Sequence, residues 1–384
     1  MRVYLDNAAS TPMMPEVLEA MLPYFSDTYG NPSSVHYHGR QLRNAVENAR
    51  RTVAELLGCS PGEIIFTSGG TEADNMAIKC SAQTGNIRQI ITSPLEHHAV
   101  LHSVETVAKY HGIPTHYLQP DAQGVLDLNE LEHQLKQHPN ATLVTLMHGN
   151  NEIGTLNDIQ AIAHLCKQYG AIYHSDTVQT MGHVPFDLKN TPVDLFVASA
   201  HKFYGPKGIG FLYKSPNADL PALLCGGGQE RNQRAGTENV AGIVGLAKAL
   251  TLVKERYDSI HTHLLHLKSY FMNRLREEIQ GVRFNGLTDA DRSLPTVLNV
   301  TFPLQDQDSM LLFNLDIRQI SASGGSACSS GSVHPSHVLK AIGLDATRAG
   351  NSVRFSFGCQ NTVSEIDYVV NALKEIITPV PVGS

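Results

Sequence analysis

The sequence predicts an α/β protein, with a mainly parallel sheet covered by helices on both faces and a smaller α+β unit after it. Three observations carry this. Apolar runs of strand length alternate with helix-period segments over the first two thirds of the 384-residue chain. Polar, glycine-punctuated clusters follow those runs directly, as ligand-binding loops do at the carboxyl ends of parallel strands. The length exceeds what one core usually serves, so two units are expected.

The strand readings are EIIFT (63–67), RQIITS (88–93), THYLQ (115–119), TLVTLMH (142–148), AIYHSD (171–176), DLFVAS (194–199) and GIGFLYK (208–214). They are rich in β-branched and aromatic residues and bounded by turn formers. Between them, NELEHQLKQ and DIQAIAHLCKQYG repeat apolar residues at helical spacing. From about Asn239 a helical pattern with one apolar face runs to about Ile279 and is expected to bridge the two units. Beyond it come VLNVTF, a helix near SMLLFNL, RQISAS, a glycine and serine loop, a helix from Pro335 to Ile342, SVRFSFG and a last helix around EIDYVVNALKEII. The expected division is residues 13–255 as a large domain, with residues 1–12 and 256–384 forming a small domain that carries the Cys328 loop.

Composition is globular, with 42% hydrophobic and 17% charged residues. The net charge of −7 and the dispersed basic residues argue against a nucleic-acid or anionic-membrane surface. Asp6 falls where a signal peptide would need its apolar centre, and no run of eighteen apolar residues occurs, so a soluble, cytoplasmic protein is expected. Six cysteines, at 59, 80, 166, 225, 328 and 359, form no CxxC and no zinc-finger spacing with histidine. They read as reduced thiols.

Lys202 lies in the glycine-rich turn SAHKFYGPKGIG, and Asp176 ends the run AIYHSD. A buried lysine can condense with an aldehyde, and pyridoxal 5′-phosphate is the cofactor that matches such a lysine with an acid at its pyridine nitrogen. A lysine in a turn is ordinarily a solvated charge, and Lys207 and Lys79 compete with Lys202 on the same logic. Spacing alone does not choose among them.

SGGTEADN (68–75) places small residues between a strand and a helix start, where free N–H groups and the helix dipole hold an anion and Thr71 adds a hydroxyl. An ordinary N-capped helix has the same pattern. Ser199 and His201, beside Lys202, are further phosphate candidates. His97 and His98 follow a strand, and an imidazole there can stack on a pyridine ring and shuttle protons. Asn151 in HGNNEIG and Gln179 in HSDTVQ are candidates for hydrogen bonds to a substrate and to the ring's phenolic oxygen.

GGGQERNQRAGTEN (226–239), which contains Thr237, reads alone as a flexible loop. SASGGSACSSGSVHPS surrounds Cys328 with small residues, and the sequence reads there as an exposed, mobile loop suited to a nucleophilic thiol. Arg354, in the strand SVRFSFG, suits bidentate capture of a carboxylate.

Taken in order, YLDNAAST, GNPSSVH, IIFTSGGTEADN, EHHAVL, HGNNEIG, YHSDTVQ, SAHKFYGPKGIG, GGGQERNQRAGTEN, SGGSACSSGS and SVRFSFG resemble the pyridoxal-phosphate-dependent cysteine desulfurases of the NifS/IscS type, in the aminotransferase class V family. The resemblance runs almost from end to end. It implies the pyridoxal-phosphate-dependent transferase fold (aspartate aminotransferase-like, fold type I), with a mainly parallel seven-stranded sheet in the large domain.

On matching positions the resemblance implies that Lys202 bonds covalently to the cofactor, which decides its contest with Lys207. Asp176 would pair with the pyridine nitrogen and Gln179 with the phenolic oxygen, while His97 stacks on the ring and assists proton transfer. Gly70, Thr71, Ser199 and His201 would hold the phosphate. Thr237 would reach the phosphate of a neighbouring subunit, so a homodimer is implied. The substrate carboxylate is expected at Arg354 and Asn151, helped by Asn31.

The implied reaction takes L-cysteine and an acceptor thiol to L-alanine and a persulfide. Lys202 removes the Cα proton and Cys328 attacks the sulfur. The loop around Cys328 is similar to that of the group supplying iron–sulfur cluster assembly and tRNA thiolation, rather than the group with a short RxGHHC-like loop. Partners implied are an iron–sulfur scaffold protein or another sulfur acceptor, with no DNA and no membrane. No resident metal is implied, and Cys328 is a candidate transient ligand for a nascent cluster. A selenocysteine lyase, or another class V aminotransferase with Cys328 incidental, is the alternative. SGGT stands where relatives often have SGAT, and HGNNEIG replaces the commoner HVNNEIG, both small changes. The ending TPVPVGS is shorter than the tail with which housekeeping relatives often dock a scaffold, which leaves that docking an open question.

Overall fold

The computed structural model describes residues 1–304, 310–324 and 336–377. Cys328, and with it the expectations about its loop, lies outside the described residues.

The chain opens with β1 (Val3–Tyr4), α1 (Pro15–Met21) and α2 (Tyr37–Leu57). α1 begins on a proline, whose fixed φ suits the first helical turn. α2 buries Leu42, Val46, Val53 and Leu57 along one face and stops at Gly58, whose φ of +73° is left-handed.

Seven strands then alternate with helices, as the apolar runs predict. They are β2 (Ile64–Thr67), β3 (Gln89–Thr92), β4 (Thr115–Tyr117), β5 (Thr142–Thr145), β6 (Ile172–Asp176), β7 (Leu195–Ser199) and β8 (Gly210–Lys214). The interleaved helices are α3 (Gly70–Gln83), α4 (His98–His111), α5 (Leu128–Leu135) and α6 (Ile159–Gln168). The strands form one sheet in the order β2-β8-β7-β6-β5-β3-β4. Five of them, β4, β3, β5, β6 and β7, run parallel, while β8 is antiparallel to both β2 and β7. β2, β3, β5 and β7 are buried along their whole length, as strands covered on both faces are.

The continuous helical pattern expected from Asn239 to Ile279 is in fact two helices, α7 (Val240–Glu255) and α8 (Tyr257–Glu278). They separate at Arg256, at φ −103° and ψ 13°, whose guanidinium is held by Glu16 at 2.7 Å. The periodicity runs through the break because apolar residues recur at helical spacing on both sides of it, but the two helices serve different cores. Leu246, Leu250 and Val253 of α7 join the core under the seven-stranded sheet. Leu264, Leu267, Phe271 and Leu275 of α8 join a second one.

The rest comprises β9 (Arg283–Asn285), β10 (Val297–Thr301), α9 (Leu311–Ile317), β11 (Ile320–Ser321), α10 (His337–Ala341), α11 (Ala346–Gly350), β12 (Ser352–Ser356) and α12 (Val363–Ile377). β12, β10 and β9 form an antiparallel sheet, and β1 pairs in parallel with β11. Phe271 meets Phe355 edge-on at 5.0 Å in this second core, a geometry worth about 0.5–1.5 kcal/mol beyond its buried area. Val338 and Leu339 of α10 pack instead into the first core. No helix among the described residues is long and apolar enough to cross a membrane.

The N-terminal segment joins the two parts. After β1 it runs beside β12, where Asn7 Nδ2 donates to the Ser356 carbonyl at 2.9 Å, and then reaches the end of β7, where the Thr11 N–H donates to the His201 carbonyl at 2.8 Å. Residues 6–10 are thereby drawn across the carboxyl ends of the central strands.

Candidate active site

A cavity of about 410 Å³ opens at those carboxyl ends, where consecutive parallel strands turn into their loops. Its lining includes Gly70, Thr71, His97, Asn151, Asp176, Gln179, Ser199, His201, Lys202 and Arg354, ten of the positions singled out in the sequence. Lys207 also reaches its rim, and Lys79 borders a neighbouring pocket rather than this one. Asn31 and Thr237 are exposed and do not line the cavity.

Lys202 ends a single 3-10 turn, Ala200–Lys202, that follows β7. Its Nζ donates to the carbonyl oxygens of Ala8 at 2.5 Å and Ala9 at 2.8 Å. Gln179 Nε2 donates to the same Ala8 oxygen at 3.0 Å. Close backbone approach requires the glycines here. A side chain on Gly210 would put its Cβ 2.3 Å from the Ala198 carbonyl, and Gly69 sits at φ +153°, a conformation side chains disfavour. These two glycines let the Ser68–Thr71 turn lie against the β7 turn.

Asp176 terminates β6 and is buried, with one oxygen accepting from the Val178 N–H at 2.9 Å. Burial pushes its carboxyl up to about 6, against the opposing pull of that hydrogen bond and of Lys202. Two more acids lie buried nearby. Asp74, on α3, is raised well above the carboxylate range by burial, then by Asp176 and Glu96. Glu96 is raised likewise by burial, opposed by a hydrogen bond from the Met147 N–H. Burial thus works against ionisation at Asp74 and Glu96 as it does at Asp176.

His174, two residues before Asp176 on the same face of β6, lies 3.4 Å from Asp74 and is pulled down to about 3 by burial. Asp74, His97 and Asp176 bring one polar atom each to within 4.8 Å of one another. Nothing else about that trio points to a metal.

His97 caps α4, its Nδ1 accepting from the Ala99 N–H at 3.2 Å. Burial, with Lys202, His337 and His102, brings its pKa down to about 4, so the ring is neutral at pH 7. With Nδ1 accepting, the proton sits on Nε2. His201 is also lowered to about 4, by burial and the nearby Lys202 and Lys207, and lies 3.3 Å from the Ser10 hydroxyl.

Arg354, on β12, is only 1% exposed. Its Nη1 donates to the Asn151 carbonyl at 2.9 Å and its Nη2 to Asp6 at 2.9 Å. Its Nε is buried without a hydrogen-bond partner among the described residues. A buried guanidinium in a cavity wall, with one donor still unpaired, is suited to pairing with a carboxylate.

These residues fit pyridoxal phosphate. One cavity holds an amine, a buried carboxylate of raised pKa, a neutral imidazole and a helix start whose free N–H groups, with Thr71 and Ser199, suit a phosphate. Sequence reasoning did not assign roles to Asp6, Ala8, Ala9 or Asp74. The Ala8 and Ala9 contacts are made by backbone carbonyls, which leave no side-chain signature. Asp74 sits in SGGTEADN, where the helix start drew attention to the glycines and the threonine instead.

Comparison with known proteins agrees with this geometry. Residues 3–369 match the family model described as Aminotransferase class-V. "Cysteine desulfurase IscS" of Dictyoglomus turgidum is 44% identical over 377 residues, covering 98% of this chain and 94% of that protein. A solved structure described as a NifS-like protein superposes with a TM-score of 0.91 at 37% identity, covering 99% of this chain and all of that one. Another, described as SspA in complex with cysteine, gives 0.81 at 34% identity, covering 94% of this chain and 100% of that one. The chain belongs to the aminotransferase class V family, among the cysteine desulfurases of the NifS/IscS type.

Proposed function

We propose that this chain is a pyridoxal-phosphate-dependent cysteine desulfurase that converts L-cysteine to L-alanine, passes the sulfur to Cys328 as a persulfide, and delivers it for iron–sulfur cluster assembly, with tRNA thiolation a further outlet. The observation that carries this is the meeting of Lys202, Asp176 and Arg354 in one cavity of a chain with this kinship. When bound, pyridoxal phosphate supplies an electron-withdrawing ring that stabilises negative charge at the substrate Cα.

In this reading Asp176 would pair with the ring nitrogen of the cofactor, Gln179 and Asn151 would bind its phenolic oxygen, and His97 would stack on its ring. Gly70, Thr71, Ser199 and His201 hold the phosphate. Arg354 and Asn151 hold the carboxylate of L-cysteine. The Lys202 amine takes the Cα proton and later returns a proton to the product. Cys328, as thiolate, attacks the substrate Sγ, so that the Cβ–Sγ bond breaks, an S–S bond forms on Cys328, and the carbon skeleton leaves as L-alanine after gaining a proton. The test uses L-cysteine labelled at sulfur. Label should appear on Cys328 with one alanine formed per sulfur, and Cys328→Ala should lose nearly all alanine formation. Full activity in that variant would point to another class V enzyme.

A homodimer belongs to the same reading. Asn31 and Thr237 are both exposed, and Gln229 Nε2 donates to Ser33 Oγ at 3.2 Å, so the segments bearing them form one surface. Leu22, Phe25, Tyr29, Val35 and Tyr37 lie exposed nearby in sequence, an apolar set suited to burial against a second copy. Sedimentation as a monomer, with the cofactor fully bound, would refute it. We also read residues 13–255 as the large domain and residues 1–12 with 256–384 as the small one, supported by the two cores although α10 packs on the first. A cytoplasmic location goes with the five described cysteines, all of which are free thiols.

A further inference from the structure

Asp6 is placed where it controls Arg354. The carboxylate of Asp6 accepts from Arg354 Nη2 at 2.9 Å, and the same oxygen accepts from the Ser323 hydroxyl at 2.9 Å. Ser323 is itself fixed to Arg354 by paired backbone bonds, the Ser323 N–H to the Arg354 carbonyl at 3.2 Å and the Arg354 N–H to the Ser323 carbonyl at 2.7 Å. On the far side, the Asn151 carbonyl accepts from Nη1. Two of the three guanidinium nitrogens are thus tied to protein groups, and Nε remains a buried donor facing no protein acceptor among the described residues.

A long arginine side chain is costly to order, and a buried guanidinium is costly to leave unpaired. Asp6 meets both demands while the cavity holds no substrate. It offsets the charge and fixes the plane of the guanidinium, without occupying the nitrogen that remains open. We infer that Asp6 is a positioning residue for the substrate carboxylate, holding the Arg354 guanidinium by Nη2 so that the side chain keeps its place in the cavity wall. Ser323 is the third member of this arrangement, since its hydroxyl donates to the same Asp6 oxygen that accepts from the guanidinium. The carboxyl group recognised is that of a small α-amino acid, and the inference rests on the reading of Arg354 as its site.

The opposite role would be competition, with Asp6 occupying Arg354 until substrate displaces it. The two roles predict opposite signs. The holoenzyme is titrated with L-alanine, the product, which binds without turnover, and followed by the visible spectrum of the bound cofactor. KM and kcat for L-cysteine are measured in parallel. Asp6→Ala is expected to weaken L-alanine binding and raise KM about tenfold, with kcat changed by less than about threefold. Asp6→Asn keeps an acceptor in the same place and is expected to recover most of the loss. Ser323→Ala is expected to raise KM by roughly threefold.

Unchanged or tighter L-alanine binding in Asp6→Ala overturns the inference, as does a fall in kcat at constant KM. Should Asp6→Ala not fold, Ser323→Ala decides, and an unchanged KM there overturns it. Arg354→Met distinguishes the underlying reading. If that variant keeps its L-alanine affinity, Arg354 is not the carboxylate site. If it loses the affinity while Asp6→Ala keeps it, only the role of Asp6 falls.

Discussion

The amine of Lys202 lies 2.5 Å from the carbonyl oxygen of Ala8, so a residue near the start of the chain supplies the acceptor that aims the lysine into the cavity. Lys207, five residues on, is exposed at the rim and lacks any such anchor among the hydrogen bonds described. Lys202→Ala is expected to abolish the visible band of lysine-linked cofactor and to lower turnover by roughly 10³-fold or more. Lys207→Ala should leave the band in place. Absorbance spectra of the two purified variants make the comparison.

Asp176 gives a pH prediction for the cofactor-free protein. Its carboxyl titrates near 6 when folded and near 4 when unfolded. The unfolded chain therefore releases this proton first as pH rises, and ionised Asp176 opposes folding. Its contribution falls between about pH 4 and 6 and stays unfavourable above that window. Asp176→Asn should stabilise the cofactor-free protein by about 3 kcal/mol at pH 8 and by almost nothing at pH 4. Denaturant melts at the two pH values measure this. The same variant should bind the cofactor far more weakly, because the amide cannot hold a protonated ring nitrogen.

His97 is neutral at working pH, its pKa lying near 4 through burial and the adjacent Lys202. Its protonation therefore should not appear as an inflection in the activity profile between pH 6 and 8. His97→Phe keeps a flat ring over the cofactor but has no Nε2–H. It should retain cofactor affinity within a few-fold while kcat falls by about 10²-fold. Equal losses in cofactor affinity and kcat would mean that stacking, and not proton transfer, is what the residue supplies.

Much of this was legible because parallel strands are read in one direction. Thr71, His97, Asn151, Asp176, Gln179, Ser199 and Lys202 each lie just after an apolar run, and the carboxyl ends of adjacent parallel strands necessarily converge. What escaped has no such marker. The strand order is set by tertiary packing, and β8 enters antiparallel between β2 and β7 though its run resembles the others. The break at Arg256 is hidden because apolar residues recur at helical spacing on either side of it. Asp6 became interesting only once β1 was seen to carry it beside Arg354, 348 residues further along the chain.

The segment carrying Thr237 is anchored by a buried ion pair, and stability should depend on it. Arg50 and Glu230, 2% and 7% exposed, meet through two parallel hydrogen bonds of 2.8 and 2.7 Å. Arg50 also donates to the Ile64 carbonyl at 2.7 Å and lies 4.7 Å above the Phe66 ring, while Glu230 accepts from the Phe66 N–H. Glu230, Arg231 and Asn232 have φ of 44°, 58° and 64°, a left-handed run costing roughly 1–2 kcal/mol per residue. Such a run persists only where other contacts hold it. Arg50→Met leaves the Glu230 carboxylate buried without its cation, and should destabilise the protein by about 3–5 kcal/mol. Adding Glu230→Gln to Arg50→Met removes the stranded charge, so the double variant should be more stable than Arg50→Met alone. Urea melts of the parent protein, Arg50→Met, Glu230→Gln and the double variant give the coupling energy. A double variant no more stable than Arg50→Met would mean that packing against Phe66, and not the ion pair, holds the segment in place.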